Sequence, residues 1–160
     1  FKINLISRDQ LKEKFLINAF KNSNKEKILN FSKIFAKLII NKYLRIKSKK
    51  TLNEKNCIKI LISASPNFYV NFLGKILNFD QIYSTRIDLK KKIGKIIGKN
   101  CYGYQKLKII KKLKLNKDNL YYFTDSKSDM PLINYCKKTY VLPKTLSDKY
   151  VLRKYEKINW

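Results

Sequence analysis

Asn119-Leu-Tyr-Tyr-Phe-Thr-Asp125-Ser-Lys-Ser-Asp129-Met-Pro-Leu-Ile133 is the stretch on which the fold turns. An apolar run, Leu120 to Phe123, enters a polar turn with two carboxylates four residues apart, and apolar periodicity resumes at Met130. The pattern reads as strand, turn, helix. The length and aromatic content of the run predict a strand buried on both faces, as in parallel α/β sheets. Asp125 then stands at the strand's carboxyl end, and Asp129 falls in the first helical turn, where a carboxylate suits the positive end of the helix dipole. An open α/β sheet binds its ligand in the crevice outside such strand ends, and a pair of hard oxygen ligands suits Mg²⁺. The same residues also read as a helix cap, Asp125, with a second carboxylate supporting it.

Working outward, the chain has 160 residues, enough for one domain or one domain with a small appendage. Hydrophobic residues make up 44% and run the whole length, so the net charge of +26 does not displace a core. Arginine occurs only at Arg8, Arg45, Arg86 and Arg153, whereas base-reading surfaces favour its planar fork. The excess of Lys, Asn, Ile, Tyr and Phe reads as the imprint of an AT-rich genome, and nucleic acid is not the expected partner. A lysine-rich surface still attracts phosphorylated molecules or anionic lipid at low salt. Cys57, Cys101 and Cys136 form no CxxC pair and histidine is absent, which removes zinc sites and Cys/His or Ser/His catalysis. A cytoplasmic setting follows, with peripheral contact at the inner face of the membrane as an option. No apolar run approaches the ~20 residues of a membrane span.

Two amphipathic helices are expected in residues 1 to 46, the first capped at Ser7 or Asp9 and the second following Asn24, with Lys21 to Lys27 between them. Lys47 to Asn56 reads as a polar connection. Cys57 to Ile62 is a strand ending in Ser63-Ala-Ser65-Pro66, with a helix after it through Phe68, Phe72, Leu73, Ile76 and Leu77. A third strand is expected at Ile82 to Thr85, a hairpin or flap from Arg86 to Gly98, a helix from Tyr104 to Leu115, a last strand at Thr139 to Leu142, and a helical tail to Trp160. Strands alternating with helices predict a parallel sheet.

Ser63, Lys106 and the Asp125/Asp129 pair are the polar features beside these strand ends and helix starts. A hydroxyl and an ammonium donate to an anion, whereas two carboxylates repel one unless a cation intervenes, so together they suit a phosphoryl group bound to Mg²⁺. Taken singly, Ser63 reads first as a helix cap and Lys106 first as one of many surface lysines, and only their order and context favour the phosphoryl site.

The order of these residues resembles the haloacid dehalogenase superfamily. The likeness is closest to its phosphoserine-phosphatase-like branch, and within that to phosphatidylglycerophosphatase C-like proteins. It is carried by Ile62-Ser-Ala-Ser-Pro66, by Gly98-Lys-Asn-Cys-Tyr-Gly-Tyr-Gln-Lys106, similar to the branch's Asn-Cys-x-Gly-x-x-Lys signature, and by Thr124-Asp-Ser-Lys-Ser-Asp-Met-Pro-Leu132. Thr124 stands where the superfamily usually has Gly. The resemblance implies a Rossmann-like α/β core with a parallel sheet (residues 56–160) and part of a helical cap (residues 1–55). It implies that Ser63 and Lys106 bind the transferring phosphoryl group, and that Asp125 and Asp129 hold Mg²⁺. The substrate is then a phosphorylated small molecule, either a lipid phosphate such as phosphatidylglycerophosphate or a soluble metabolite such as phosphoserine.

Members of the superfamily attack phosphate with the first Asp of an Asp-x-Asp-x-Thr motif and hydrolyse the resulting aspartyl-phosphate. No such motif occurs in the 160 residues. Asp9 follows Ser-Arg in a helix-start context and is not a nucleophile. The expectation is therefore an amino-terminally truncated fragment whose first strand, central in the sheet between the strands ending at Ser63 and Asp125, is missing. Such a fragment would be poorly stable and without turnover. The alternative is an inactive remnant or a basic binding module.

Overall fold

The computed structural model describes residues 6–44, 52–53 and 56–141, and the backbone of 155–157. The chain divides into two compact units, Phe1–Leu44 with Glu54–Cys101 and Arg45–Asn53 with Tyr102–Trp160.

The first unit opens with helices α1 (Arg8–Phe20) and α2 (Lys25–Tyr43). Ser7 caps α1 through a capping box: Gln10 N donates to Ser7 Oγ at 3.2 Å, and Ser7 N donates to Gln10 Oε1 at 2.9 Å. Asn24 caps α2, accepting from Lys27 N at 2.9 Å, so the linker is shorter than the lysine-rich run suggests. One stripe of α2, Ile28, Ser32 and Ala36, is buried at four-residue spacing, and Ser32 satisfies its hydroxyl on Ile28 O at 2.6 Å. Strand β1 (Ile60–Pro66) leads into α3 (Asn67–Ile76), and β2 (Gln81–Thr85) returns parallel to β1, pairing Ile60 with Gln81 and Ser63 with Ser84. Phe20 meets Phe68 edge-on at 5.3 Å and Phe35 meets Tyr69 at 5.1 Å, joining both helices to α3. The expected flap is present, closed by a bridge between Ile87 and Ile96.

The second unit contains α4 (Tyr104–Lys112), β3 (Tyr121–Thr124), α5 (Met130–Tyr135), β4 (Lys138–Val141) and β5 (Tyr155–Lys157). Its sheet has the order β3-β4-β5, all parallel. Leu107, Ile110, Leu132, Ile133, Cys136 and Val141 are its buried apolar residues. Among the described residues, β1 pairs only with β2 and β3 only with β4, so each has one neighbour.

Three expectations need correction. The first strand begins at Ile60, three residues later than Cys57, and runs to Pro66. β3 is covered on one face only: Tyr122 and Thr124 are half-buried, while Tyr121 and Phe123 are 56% and 42% exposed. Aromatic residues on both faces hid this alternation, and Phe123 instead stacks on its strand neighbour Tyr140 at 4.7 Å. In the tail, Tyr155–Lys157 is a strand and not a helix, because pairing with Thr139 to Val141 supplies a hydrogen-bond ladder that local helix preference does not outweigh. Leu142 to Lys154, most of the tail, and most of the Lys47 to Asn56 connection lie outside the described residues.

Candidate active site

In the second unit the strand-turn-helix segment forms as its pattern dictates. β3 ends at Thr124, Asp125 follows, and a single 3₁₀ turn, Lys127–Asp129, leads into α5 with Pro131 in its first turn. The turn is held by its own hydroxyls. Ser126 N donates to Thr124 Oγ1 at 3.1 Å, Ser128 N donates to Ser126 Oγ at 3.3 Å, and Asp129 N donates to Ser126 O at 3.2 Å.

Asp129 is 1% exposed, and one of its oxygens collects three donors. Lys106 Nζ lies 2.8 Å from Oδ2, Tyr122 Oη 2.7 Å and Thr124 Oγ1 2.7 Å. The other oxygen, Oδ1, is buried with no hydrogen-bond partner among the described residues. Burial first, then the Asp129 charge, pushes the Tyr122 hydroxyl far above its ordinary titration range, so it remains a donor. Lys106 is not a surface lysine. Together with Leu107 and Ile110 it lies on the buried side of α4, and its ammonium is paired. Gly103 explains the glycine of the Asn-Cys-x-Gly-x-x-Lys run: at φ +53 and ψ −122 it starts α4 in a backbone geometry that disfavours any side chain. Asp125 is exposed, and no hydrogen bond to its carboxylate occurs among the described residues.

Ser63 belongs to the first unit. Its Oγ accepts from Ser65 N at 3.1 Å, leaving the hydroxyl proton available. The turn is fastened by the next carbonyl: Ala64 O lies 2.7 Å from both Lys12 Nζ and Thr85 Oγ1. Asn100 Oδ1 lies 2.8 Å from Lys12 Nζ and 2.7 Å from Thr85 Oγ1, and Asn100 Nδ2 donates to Asp9 Oδ1 at 2.6 Å. Cys101 N donates to Thr85 Oγ1 at 3.1 Å, and Thr85 is fully buried. Burial lowers the Lys12 pKa, with Asp9 pulling the other way. Asp9 thus sits in the first turn of α1, engaged by Asn100.

The structure brings Lys106 and Asp129 together and sets Asp125 at the end of β3. Sequence reasoning missed the donors Tyr122 and Lys12 and the buried Thr85. The available signal was strand alternation, which puts Tyr122 and Thr124 on one face of β3.

The family model for haloacid dehalogenase-like hydrolases matches residues 3–134. The chain belongs to this family. Among solved structures, a protein of unknown function from Bordetella pertussis Tohama I is 14% identical, with a TM-score of 0.71 over 85% of this chain and 66% of that one. A HAD family hydrolase from Salmonella enterica serovar Typhi is 12% identical, with a TM-score of 0.50 over 61% of this chain and 36% of that one. The chain therefore spans two thirds or less of the length of these neighbours. At such identities they establish the fold alone, a Rossmann-like core with parallel strands. No curated protein matches the chain. Among the described residues, no helix is long and apolar enough to cross a membrane.

Proposed function

We propose that this chain carries the phosphate- and cation-handling part of a Mg²⁺-dependent phosphomonoester hydrolase. The observation that carries the reading is the Asp129 carboxylate, held on Oδ2 by a buried lysine and two hydroxyls while Oδ1 is buried and unbonded. A buried carboxylate oxygen without a donor costs about 1–3 kcal/mol, a cost that a cation removes. The donor set fits Mg²⁺, which takes hard oxygens and is commonly held by one or two carboxylates with substrate phosphate and water completing its shell. Asp125 and Asp129 supply those carboxylates. When bound, Mg²⁺ neutralises the phosphoryl oxygens so that a nucleophile can approach.

The chain's own groups divide the remaining work. Lys106 offsets negative charge on the transferring phosphoryl group, and its pairing with Asp129 fixes where that ammonium sits. Ser63 donates its free hydroxyl proton to a phosphoryl oxygen. Asp-x-Asp occurs nowhere in these 160 residues, so the aspartyl-phosphate of this reading forms on a residue outside them. The single-neighbour strands β1 and β3 support the same view. Residues 1–55 act as part of a cap.

A lipid phosphate such as phosphatidylglycerophosphate is the favoured substrate over a soluble one such as phosphoserine. The support is a cavity of about 660 Å³ in the first unit, lined by Phe15, Leu16, Phe20, Phe31 and Phe35, with Lys12 the one cation on its wall among the described residues. Such a wall suits acyl chains better than an amino acid.

The test is phosphate release from both substrates by a protein that joins these residues to an Asp-x-Asp strand, with and without Mg²⁺. Metal-dependent release that Asp125→Asn abolishes supports the reading. Turnover indifferent to Mg²⁺ and to Asp125→Asn refutes it, and turnover of phosphoserine alone refutes the lipid assignment.

A further inference from the structure

The carboxylate of Asp129 poses a problem of orientation. Its two oxygens are chemically equivalent, and an ammonium with three N–H groups gains by bridging both. In the structure Lys106 meets only Oδ2, and Oδ1, though buried, receives nothing. Two further groups break the symmetry. Tyr122 Oη and Thr124 Oγ1, two residues apart on one face of β3, both lie 2.7 Å from Oδ2. Thr124 is itself fixed, since its oxygen accepts from Ser126 N at 3.1 Å while its proton goes to Asp129.

We infer that Tyr122 and Thr124 are positioning residues whose hydroxyls lock Asp129 by one oxygen and thereby keep Oδ1 open to a divalent cation. The inference rests on the reading of Asp125 and Asp129 as a Mg²⁺ pair and adds the device that presents one of them. Without the two hydroxyls, the carboxylate turns to share both oxygens with the Lys106 ammonium, and Oδ1 is withdrawn from the cation. The position where the family usually has Gly then has a purpose in this chain, because Gly at 124 would offer no hydroxyl. Neither hydroxyl touches the reacting atoms in this account. They act through Asp129.

The experiment is a Mg²⁺ titration of the 160-residue chain, following backbone amide shifts of residues 125–129 by NMR, beside melting temperatures recorded with and without Mg²⁺. Tyr122→Phe and Thr124→Val are each expected to weaken Mg²⁺ binding about tenfold, the scale of losses when a group supporting a metal ligand is removed. Thr124→Ser, which keeps the hydroxyl, is expected to bind like the parent chain. The metal-free melting temperature falls with each deleted hydroxyl, and the Mg²⁺-induced rise, taken from each variant's own metal-free value, shrinks in the two hydroxyl-deleted variants. If Tyr122→Phe fails to fold, the comparison of Thr124→Val with Thr124→Ser decides alone. Unchanged or tighter binding in the hydroxyl-deleted variants, while Asp125→Asn weakens it, overturns the positioning role and leaves the Mg²⁺ pair standing. Binding unaffected by both Asp125→Asn and Asp129→Asn, or no binding by the parent chain, overturns the pair and the positioning role with it.

Discussion

The ammonium of Lys106 lies 2.8 Å from Asp129 Oδ2, with the two side chains 10% and 1% exposed. Neither charge has much water to fall back on, so each depends on the other. Lys106→Met leaves a buried carboxylate with two neutral donors, and the expected loss of stability is about 3–5 kcal/mol. Adding Asp129→Asn should recover part of that loss, because the orphaned charge goes with it. Urea midpoints of the parent, single and double variants measure both effects, and a single variant as stable as the parent would contradict the pairing.

Thr85 is fully buried, and its oxygen stands within hydrogen-bond reach of Ala64 O, Asn100 Oδ1 and Cys101 N. Thr85→Val keeps the shape and removes the hydroxyl, stranding those groups at a cost of about 1–3 kcal/mol. Because Ala64 adjoins Ser63, amide exchange at residues 63–65 should quicken more than exchange in α4. Uniform exchange across both regions would show that Thr85 does not hold this turn.

Glu13 accepts from Lys95 Nζ at 2.9 Å and from Ile96 N at 2.8 Å, tying the flap to α1. The Lys95 bond first, and the Ile96 amide second, hold its pKa below the ordinary 4.5. A carboxyl depressed in the folded state contributes stability that is present above its unfolded pKa and fades as pH falls through the folded value. The flap should therefore loosen below about pH 4.5, read as a falling protection factor of the Ile96 amide, its exchange rate taken relative to the intrinsic rate at the same pH. In Glu13→Gln that acid dependence should vanish.

Gly74 lies against the strands so closely that an added Cβ would sit 2.5 Å from Ile82 Cδ1 and 3.2 Å from Leu61 Cδ2. Gly74→Ala gains helix propensity but overpacks this contact, with an expected net cost of about 1–3 kcal/mol. Thermal melting decides the sign, and a stabilised variant would mean that Ile82 has room to turn away.

Thiol labelling separates the three cysteines. Cys57 is exposed, whereas Cys101 and Cys136 are 2% and 4% exposed, and burial raises the Cys136 thiol to about 11. At pH 8 a single thiol should react quickly, and the other two only on the timescale of unfolding.

Much of this was legible in the residues. Ser7 and Asn24 fixed helix starts through capping chemistry that is local, Pro66 marked the passage from β1 into α3, and the Asp125 turn follows from an apolar run meeting a polar one. What escaped depended on partners distant in sequence. The Asn-Cys-x-Gly-x-x-Lys run marked Lys106, but not its burial against Asp129, 23 residues on. Lys12 reaches Ala64 across 52 residues, which no periodicity reveals. The one-sided burial of β3 was hidden because Tyr and Phe occupy both its faces, and β5 formed where composition suggested a helix because β4 offered it a ladder.

β1 and β3 each carry one hydrogen-bonded neighbour among the described residues, and this bears on how the protein behaves in the tube. A row of unsatisfied N–H and C=O groups along a strand is a template for a second molecule. The net charge of +26 opposes that encounter. The opposition reaches about 10 Å at 0.1 M salt and only about 3 Å at 1 M. Ionic strength thus becomes the handle on colloidal state: light scattering should stay flat in dilute buffer and climb as salt is raised, the reverse of a protein whose self-association is electrostatic.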